Sequence, residues 1–124
     1  MFDHFGFEVK NLAKSRKFYE AALAPLGVKV ISDLKEYGAV GFGVDRPQFW
    51  LGAGQPSTGE DEFHLCFAAK NRAEVRSFYE AAMKAGGRDN GKPGLRPEYH
   101  EHYYGAFILD LDGYNVEACC HKPE

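Results

Sequence analysis

HFGFEVKNLAKSRKFYEAALAPLG, which spans residues 4–27, returns later in the same chain as HLCFAAKNRAEVRSFYEAAMKAGG, which spans residues 64–87. The offset between the copies is 60 throughout, and 12 of the 24 aligned positions hold the same residue. An internal repeat of this quality predicts that one structural unit occurs twice. Each copy begins with a histidine, so His4 and His64 occupy equivalent positions in the two units.

The repeat continues beyond these segments with a changed spacing. Residues 37–39 (YGA) match residues 104–106 (YGA), which is an offset of 67 in place of 60. The second unit therefore carries seven additional residues, located between positions 87 and 104. At this offset Glu117 corresponds to Trp50, and these two residues lie in the closing segments of the two units.

The pattern of apolar residues predicts the same order of elements in both units. Residues 2–9 alternate between apolar and polar side chains, as a strand with two different faces does. Asn11 is a typical N-cap and precedes an apolar stripe with helical spacing. Predicted strands follow at residues 28–32, 37–45 and 48–53 in the first unit. In the second unit we predict strands at 63–69, 104–112 and 115–121, a helix after Asn71 and a weak strand signal within 88–102.

We therefore predict an α+β fold made of two tandem βαβββ modules, with a curved mixed sheet around a cup and the helices on its outer face. The 124 residues have the size of one domain, so the modules must share a core. We place module one at residues 1–53, a linker at 54–61 and module two at 62–121.

Composition argues against several classes of partner. The net charge of -3 disfavours nucleic acid, because binding phosphates requires a basic surface. No apolar run approaches the roughly 20 residues of a membrane span, and the chain opens on a strand pattern rather than a signal peptide. The three cysteines do not form a disulfide framework, which favours a reduced, cytoplasmic location.

Alternation along the strands places His4, His64 and Glu117 on the faces opposite the helices. If the two sheets curve around a shared cup, the two histidines face each other and the carboxylate joins them. Two imidazoles and one carboxylate make a metal site with three protein ligands and open positions for water and substrate. The alternative is that each histidine is simply hydrogen-bonded to a backbone carbonyl.

Further candidates lie near the inserted residues. Each of four residues could act as an acid or base or hydrogen-bond a substrate: His100, His102, Tyr103 and Tyr104. Of these, His102 and Tyr104 are the candidate catalytic bases and His100 is a candidate substrate contact. Arg96 has the charge to hold an anionic substrate group. The alternative is that the two histidines and two tyrosines belong to a loop or a strand edge and carry no chemistry, and that Arg96 is a solvated arginine.

Two cysteines share the face of the predicted ligands. Cys66 and Cys119 follow His64 and Glu117 by two positions, so they are expected on the same side of their strands. We predict that both are small packing residues, with a thiol ligand or a redox role as the alternative.

Three segments resemble the vicinal oxygen chelate superfamily, which includes glyoxalase I, extradiol dioxygenases, methylmalonyl-CoA epimerase, fosfomycin-resistance proteins and bleomycin-binding proteins. They are DHFGFEV (residues 3–9), SRKFYEAAL (15–23) and YYGAFILDLDGYNVEA (103–118). The resemblance implies paired βαβββ modules and one divalent metal ion at the positions of His4, His64 and Glu117. It also implies a homodimer, and it leaves open whether one chain or two supply the ligands.

The chain departs from this pattern at Trp50. Glyoxalase I-like proteins usually have a glutamate there as a fourth ligand, whereas an indole cannot bind a divalent ion. Trp50 instead provides an aromatic wall for substrate. The remaining His-His-Glu set resembles that of extradiol dioxygenases and fosfomycin-resistance enzymes, and it suits Fe or Mn, with Zn or Ni also able to use it.

The leading hypothesis is a metal-dependent enzyme that acts on a small, oxygen-chelating substrate, with lyase or isomerase, dioxygenase and transferase reactions all open. The alternative is a metal-free binding protein of the bleomycin-resistance type, in which Trp50 stacks on the ligand. A structural or regulatory dimer with a vestigial site is a third option.

Overall fold

The computed structural model describes residues 1–57 and 63–124, so part of the predicted linker lies outside the described residues. The first module consists of β1 (Phe5–Val9), α1 (Leu12–Leu23), β2 (Lys29–Leu34), β3 (Ala39–Gly43) and β4 (Phe49–Ala53). The second consists of β5 (His64–Ala68), α2 (Arg72–Lys84), β6 (Arg88–Leu95), β7 (Tyr104–Leu109) and β8 (Asn115–Cys120). The predicted α+β class and the two βαβββ modules are confirmed.

Each module forms its own four-stranded mixed sheet. The strand orders are β1-β4-β3-β2 and β5-β8-β7-β6, so the two modules have the same topology. In each sheet the first strand pairs in parallel with the last strand of its module, and the other pairs are antiparallel. The positions that open and close the repeat are therefore hydrogen-bonded neighbours within each sheet.

Both helices begin at the caps that the sequence predicts. The side chain of Asn11 accepts the backbone N–H of Lys14 at 3.0 Å, and the side chain of Asn71 accepts that of Glu74 at 2.8 Å. Such caps satisfy N–H groups that the first helical turn leaves without partners. Neither α1 nor α2 has the length and apolar character that crossing a membrane requires, and no other helix of the described ranges does.

The two modules share one core. Each helix packs on its own sheet, and α1 also contacts α2. Aromatic rings join the modules, since the Phe49 ring lies 5.0 Å from that of Tyr19 and 5.3 Å from that of Phe67. The apolar face of both sheets is therefore turned toward this core, and the helix-free face of each sheet points away from it. We call these the first open face (module one) and the second open face (module two).

A buried carboxylate forms a polar link between the modules. Asp110 is only 3% exposed, and its Oδ2 accepts the Tyr19 hydroxyl at 2.5 Å while its Oδ1 accepts two backbone N–H groups. Burial raises the pKa of Asp110, and the hydrogen bond from Tyr19 offsets part of this effect. The neighbouring Tyr114 hydroxyl donates to the carbonyl of Glu8 at 2.9 Å. The turn before β8 is thereby tied to both α1 and β1.

Candidate functional site

The second open face carries the densest group of chemically active side chains. Parallel pairing of β5 with β8 places Cys66 beside Glu117, with His64 and Cys119 one step away along each strand. Antiparallel pairing of β7 adds Phe107 opposite Glu117. These residues meet because the face of a strand contains every second residue, so two neighbouring strands stack their alternate side chains on one surface.

Glu117 is the centre of this group. Its side chain is only 2% exposed, although it lies on the face that has no helix. One carboxylate oxygen, Oε1, accepts the Tyr103 hydroxyl. The other, Oε2, lies 3.8 Å from His64 Nε2. Burial, reinforced by the bond to Glu117, raises the pKa of Tyr103, so Tyr103 stays protonated at neutral pH and remains a donor.

The two thiols meet next to this carboxylate. Cys66 Sγ and Cys119 Sγ are 3.3 Å apart, well beyond the roughly 2.05 Å of a disulfide bond. The hydrogen bond that Cys66 donates lowers the pKa of Cys119 to about 6, and the same bond raises the pKa of Cys66. Ligand atoms of Cys66, Glu117 and Cys119 all lie within 4.8 Å of one another.

A pair of histidines extends the group toward the inserted residues. His100 Nε2 is 2.5 Å from His121 Nδ1, and the two rings are stacked with centroids 4.6 Å apart. The other nitrogen of His121, Nε2, lies 3.5 Å from Cys119 Sγ. His100, a predicted substrate contact, therefore reaches the cysteines through His121.

His4 lies elsewhere, on the first open face. Its Nδ1 is 2.8 Å from Asp3 Oδ1 and its side chain is 62% exposed. Among the described residues, His64 pairs with Glu117 and His4 with Asp3, and the cluster of potential ligand atoms around Glu117 does not include His4.

Trp50 shares the first open face with His4, as the repeat predicts. It pairs with Gly41 across β3 and β4, and its indole covers that glycine. A Cβ added at Gly41 would lie 2.9 Å from the indole ring, closer than real Cβ atoms come to other groups. The missing side chain at Gly41 therefore allows the indole to lie flat on the sheet.

Arg96 lies over the second open face. Its Nη2 donates to the carbonyl of Lys92 at 2.7 Å, and its guanidinium lies 5.7 Å from the centroid of Phe107, the neighbour of Glu117. The five N–H groups of a guanidinium leave donors for another partner. The position is consistent with the predicted contact to an anionic group.

The two predicted acid–base residues lie away from Glu117. His102 is half-exposed and its Nε2 is 3.7 Å from the exposed Glu101. Tyr104 points to the helix side of its sheet, where Arg72 and Arg76 lie over its ring. Because neighbouring residues of a strand point to opposite faces, its neighbour Tyr103 is the tyrosine that reaches Glu117. Tyr103 was one of the predicted candidates. The alternation that puts residues 103, 105 and 107 on the open side of the sheet is the signal that singles it out as the partner of Glu117.

The pair formed by His64 and Glu117 fits two ligands of a divalent ion. Bonds of about 2.0–2.2 Å place two ligand atoms of one tetrahedral ion roughly 3.5 Å apart, and Nε2 and Oε2 are 3.8 Å apart. A buried carboxylate is costly unless a cation compensates it. Within the described ranges the salt-bridge partner of Glu117 is His64, whose side chain is 58% exposed and open to an ion.

The absence of a side chain at Gly105 leaves room for the contact between Tyr103 and Glu117. A Cβ at this position would lie 3.0 Å from Glu117 Oε1 and 3.1 Å from Tyr103 Cε1. We expect Gly105→Ala to separate the Tyr103 hydroxyl from the Glu117 carboxylate. Divalent-metal binding should then weaken by about 10–100-fold, the usual effect of losing a hydrogen bond that orients a metal ligand. Calorimetric titration with Zn(II) measures this loss.

The matched control is Gly52→Ala, also in a strand, where the nearest atom to an added Cβ is 4.0 Å away. Equal metal affinities for the two alanine variants would contradict a role for the Tyr103 contact.

Comparison with known proteins identifies the fold. A family model described as "Glyoxalase/Bleomycin resistance protein/Dioxygenase superfamily" matches residues 1–118. No match was found among curated proteins. A glyoxalase/bleomycin resistance protein from Albidiferax ferrireducens T118 is 28% identical, with a TM-score of 0.83 and 99% coverage of both chains.

Two more distant structures share the fold. The fosfomycin resistance protein FosX from Mesorhizobium loti is 15% identical, with a TM-score of 0.73 over 98% of this chain and 92% of that chain. A glyoxalase I mutant from Zea mays is 23% identical, with a TM-score of 0.68 over 94% of this chain and 45% of that chain.

Proposed function

Since this chain belongs to the glyoxalase/bleomycin resistance protein/dioxygenase superfamily, we propose that it is a divalent-metal-dependent enzyme that acts on a small, oxygen-chelating substrate. The observation that carries the proposal is the juxtaposition of His64 with the buried carboxylate of Glu117 on the second open face. A 2%-exposed carboxylate destabilises a metal-free fold unless it is compensated. A buried carboxylate on the helix-free face of a sheet is typical of a residue that binds a ligand at some cost in stability.

We infer that the third ligand, His4, comes from a second copy of the chain. His4 is exposed on the first open face, whereas His64 and Glu117 lie on the second. If the first open face of one copy covers the second open face of another, His4 meets the pair. Twofold symmetry then generates two identical sites for each dimer, because the same two surfaces meet twice.

A bound divalent ion acts as a Lewis acid toward substrate oxygens. The side chains of the chain itself supply orientation and shape. Tyr103 holds one oxygen of Glu117 and leaves the other directed at His64. In such a dimer Trp50 arrives with His4 from the other copy and provides a flat aromatic wall, while Arg96 lies near Phe107 with donors for an anionic substrate group.

Mixing two defective variants tests the shared site. The mixing test uses Mn(II), an ion that prefers oxygen ligands and that thiolates do not favour. We expect His4→Ala and Glu117→Ala each to lack bound Mn(II) when loaded with this ion and dialysed alone. After the two are unfolded and refolded together, the sample is expected to regain about one quarter of the wild-type metal content, because half of the dimers are mixed and one of their two sites is intact. Elemental analysis of tag-free protein after dialysis measures the recovery.

The other outcomes separate the remaining models. Metal in the wild type with no recovery on mixing would show that one chain supplies all its ligands. A wild type that takes up no divalent ion at all would overturn the enzyme proposal.

In the latter case the metal-free binding protein becomes the better function. Trp50 favours that alternative, since its indole lies flat over Gly41 and offers one ring face for stacking. Quenching of Trp50 fluorescence by aromatic ligands would then identify the ligand class, and calorimetric titration of the same ligands into Trp50→Leu, expected to show weaker binding, is the control.

A further inference from the structure

The thiol pair of the second open face has no part in the function proposed above. Cys66 Sγ and Cys119 Sγ face each other at 3.3 Å, on neighbouring parallel strands. With bonds of about 2.3 Å, two thiolates on one tetrahedral ion lie roughly 3.8 Å apart. An outward adjustment of about half an ångström, which a cysteine rotamer absorbs, would therefore admit an ion.

A third donor already lies at the same point. Glu117 pairs with Cys66 across the two strands, and ligand atoms of Cys66, Glu117 and Cys119 fall within 4.8 Å of one another. Cys66 is exposed, so the group is accessible from solvent, whereas Cys119 and Glu117 are buried and held by the sheet. One open ligand and two fixed ones form a site that an ion can enter without disturbing the core.

The surroundings also suit a metal-bound thiolate. His121 Nε2 lies 3.5 Å from Cys119 Sγ, and the second nitrogen of His121 bonds to His100. An N–H group directed at the sulfur stabilises its anionic form, and a hydrogen bond to the other ring nitrogen fixes the orientation of the imidazole. Hydrogen bonds of this kind orient and tune the ligands of metal sites. Tyr103 fixes the carboxylate in the same manner.

We propose that Cys66, Cys119 and Glu117 form a thiolate metal site that binds a soft divalent ion, of the Zn(II) type, in the reduced protein. Two sulfur ligands select such an ion over Mg(II), Ca(II) or Mn(II), which prefer oxygen. The site requires one chain only. It does not depend on the function proposed above, because neither sulfur belongs to the set of His4, His64 and Glu117, although Glu117 cannot serve both sets fully at once.

Cobalt substitution tests the site directly. Reduced wild-type protein titrated with Co(II) without oxygen is expected to develop the intense near-ultraviolet absorption of cobalt–thiolate bonds. We expect this absorption to fall in Cys66→Ser and in Cys119→Ser and to be absent from the double variant. Zn(II) affinity is compared in the His4→Ala background, which removes the proposed shared site. There the double cysteine variant is expected to lose more than the about 10–100-fold in affinity that follows loss of a residue which only supports a ligand.

Two control variants separate this site from the rest of the protein. Cys120→Ala removes the third thiol, which is buried on the helix side of β8, and is expected to keep the absorption. His4→Ala removes a ligand of the proposed enzyme site and is also expected to keep it. Loss of the absorption in His4→Ala would show that the thiolate-bound metal also requires His4, which contradicts a site made by one chain from Cys66, Cys119 and Glu117.

A wild-type complex with cobalt that lacks thiolate absorption would overturn the proposal. So would a double cysteine variant that, in the His4→Ala background, binds Zn(II) as tightly as His4→Ala alone. Cys66→Ser is the decisive single change, because Cys66 is exposed and its replacement leaves the core intact. Zn(II) should in addition protect Cys66 from alkylation in the wild type.

Discussion

Glu117→Gln is expected to lower the affinity for divalent metal by at least about 100-fold. Removing a residue that only supports a ligand costs about 10–100-fold, and Glu117 is itself a proposed ligand. Glutamine has the size of glutamate and still accepts the Tyr103 hydroxyl, but it carries no charge. The fold should therefore persist while the ligand is lost. Zn(II) is expected to raise the melting temperature of the wild type, as any ligand of the native state does, and to leave that of the variant unchanged.

The same substitution separates binding from stability. Without metal, Glu117 is a buried carboxylate with one oxygen directed at an exposed histidine. Removing that charge should leave the metal-free variant at least as stable as the metal-free wild type, since residues kept for binding commonly cost stability. A large loss of stability in the metal-free variant would show instead that Glu117 is a structural residue.

Phe49→Ala is expected to destabilise the whole chain by about 3–5 kcal/mol, the usual cost of truncating a buried phenylalanine. Domains of ordinary stability have about 5–15 kcal/mol in total. The Phe49 ring is 4% exposed and contacts rings of its own module, among them Tyr19, as well as Phe67 of the other. Urea denaturation measures the loss.

A second phenylalanine provides the control. Phe2 is 80% exposed, so Phe2→Ala should change the free energy of unfolding by no more than about 0.5 kcal/mol. Trp50 is the chain's one tryptophan, and its fluorescence reports on the first module, whereas far-ultraviolet circular dichroism reports on both. We expect the two signals to change at the same urea concentration in the wild type. Separate transitions would contradict a common core.

Much of the architecture could be predicted from the repeat. Two copies of one pattern imply two similar modules, and the caps at Asn11 and Asn71 follow from the preference of asparagine for helix starts. The pairing of His64 with Glu117 follows from alternation once the first and last strands of a module are neighbours. These features depend on local spacing, which a sequence displays directly.

The placement of the modules could not be predicted in the same way. Whether two sheets meet at their edges or through their helices depends on contacts between residues far apart in sequence, such as Tyr19 with Asp110. The repeat predicts His4 and His64 across one cup. In the structure α1 contacts α2 and His4 pairs with Asp3, and which surfaces form the cup around a metal stays a prediction. For a related reason Tyr103 could not be singled out among the candidates near the inserted residues, since those residues have no counterpart in the first module.

The alternation of side chains along the strands also bears on how this scaffold changes during evolution. Along β8, Val116 and Ala118 pack into the core, while Glu117 and Cys119 form the open face. Substitutions at positions of the open face can therefore change its chemistry one residue at a time, while the alternate residues that form the core stay the same. Duplication adds a second such surface to the same core, and the two can drift independently, as Trp50 and Glu117 have done. A lineage built on this plan can explore new reactions at low risk of unfolding.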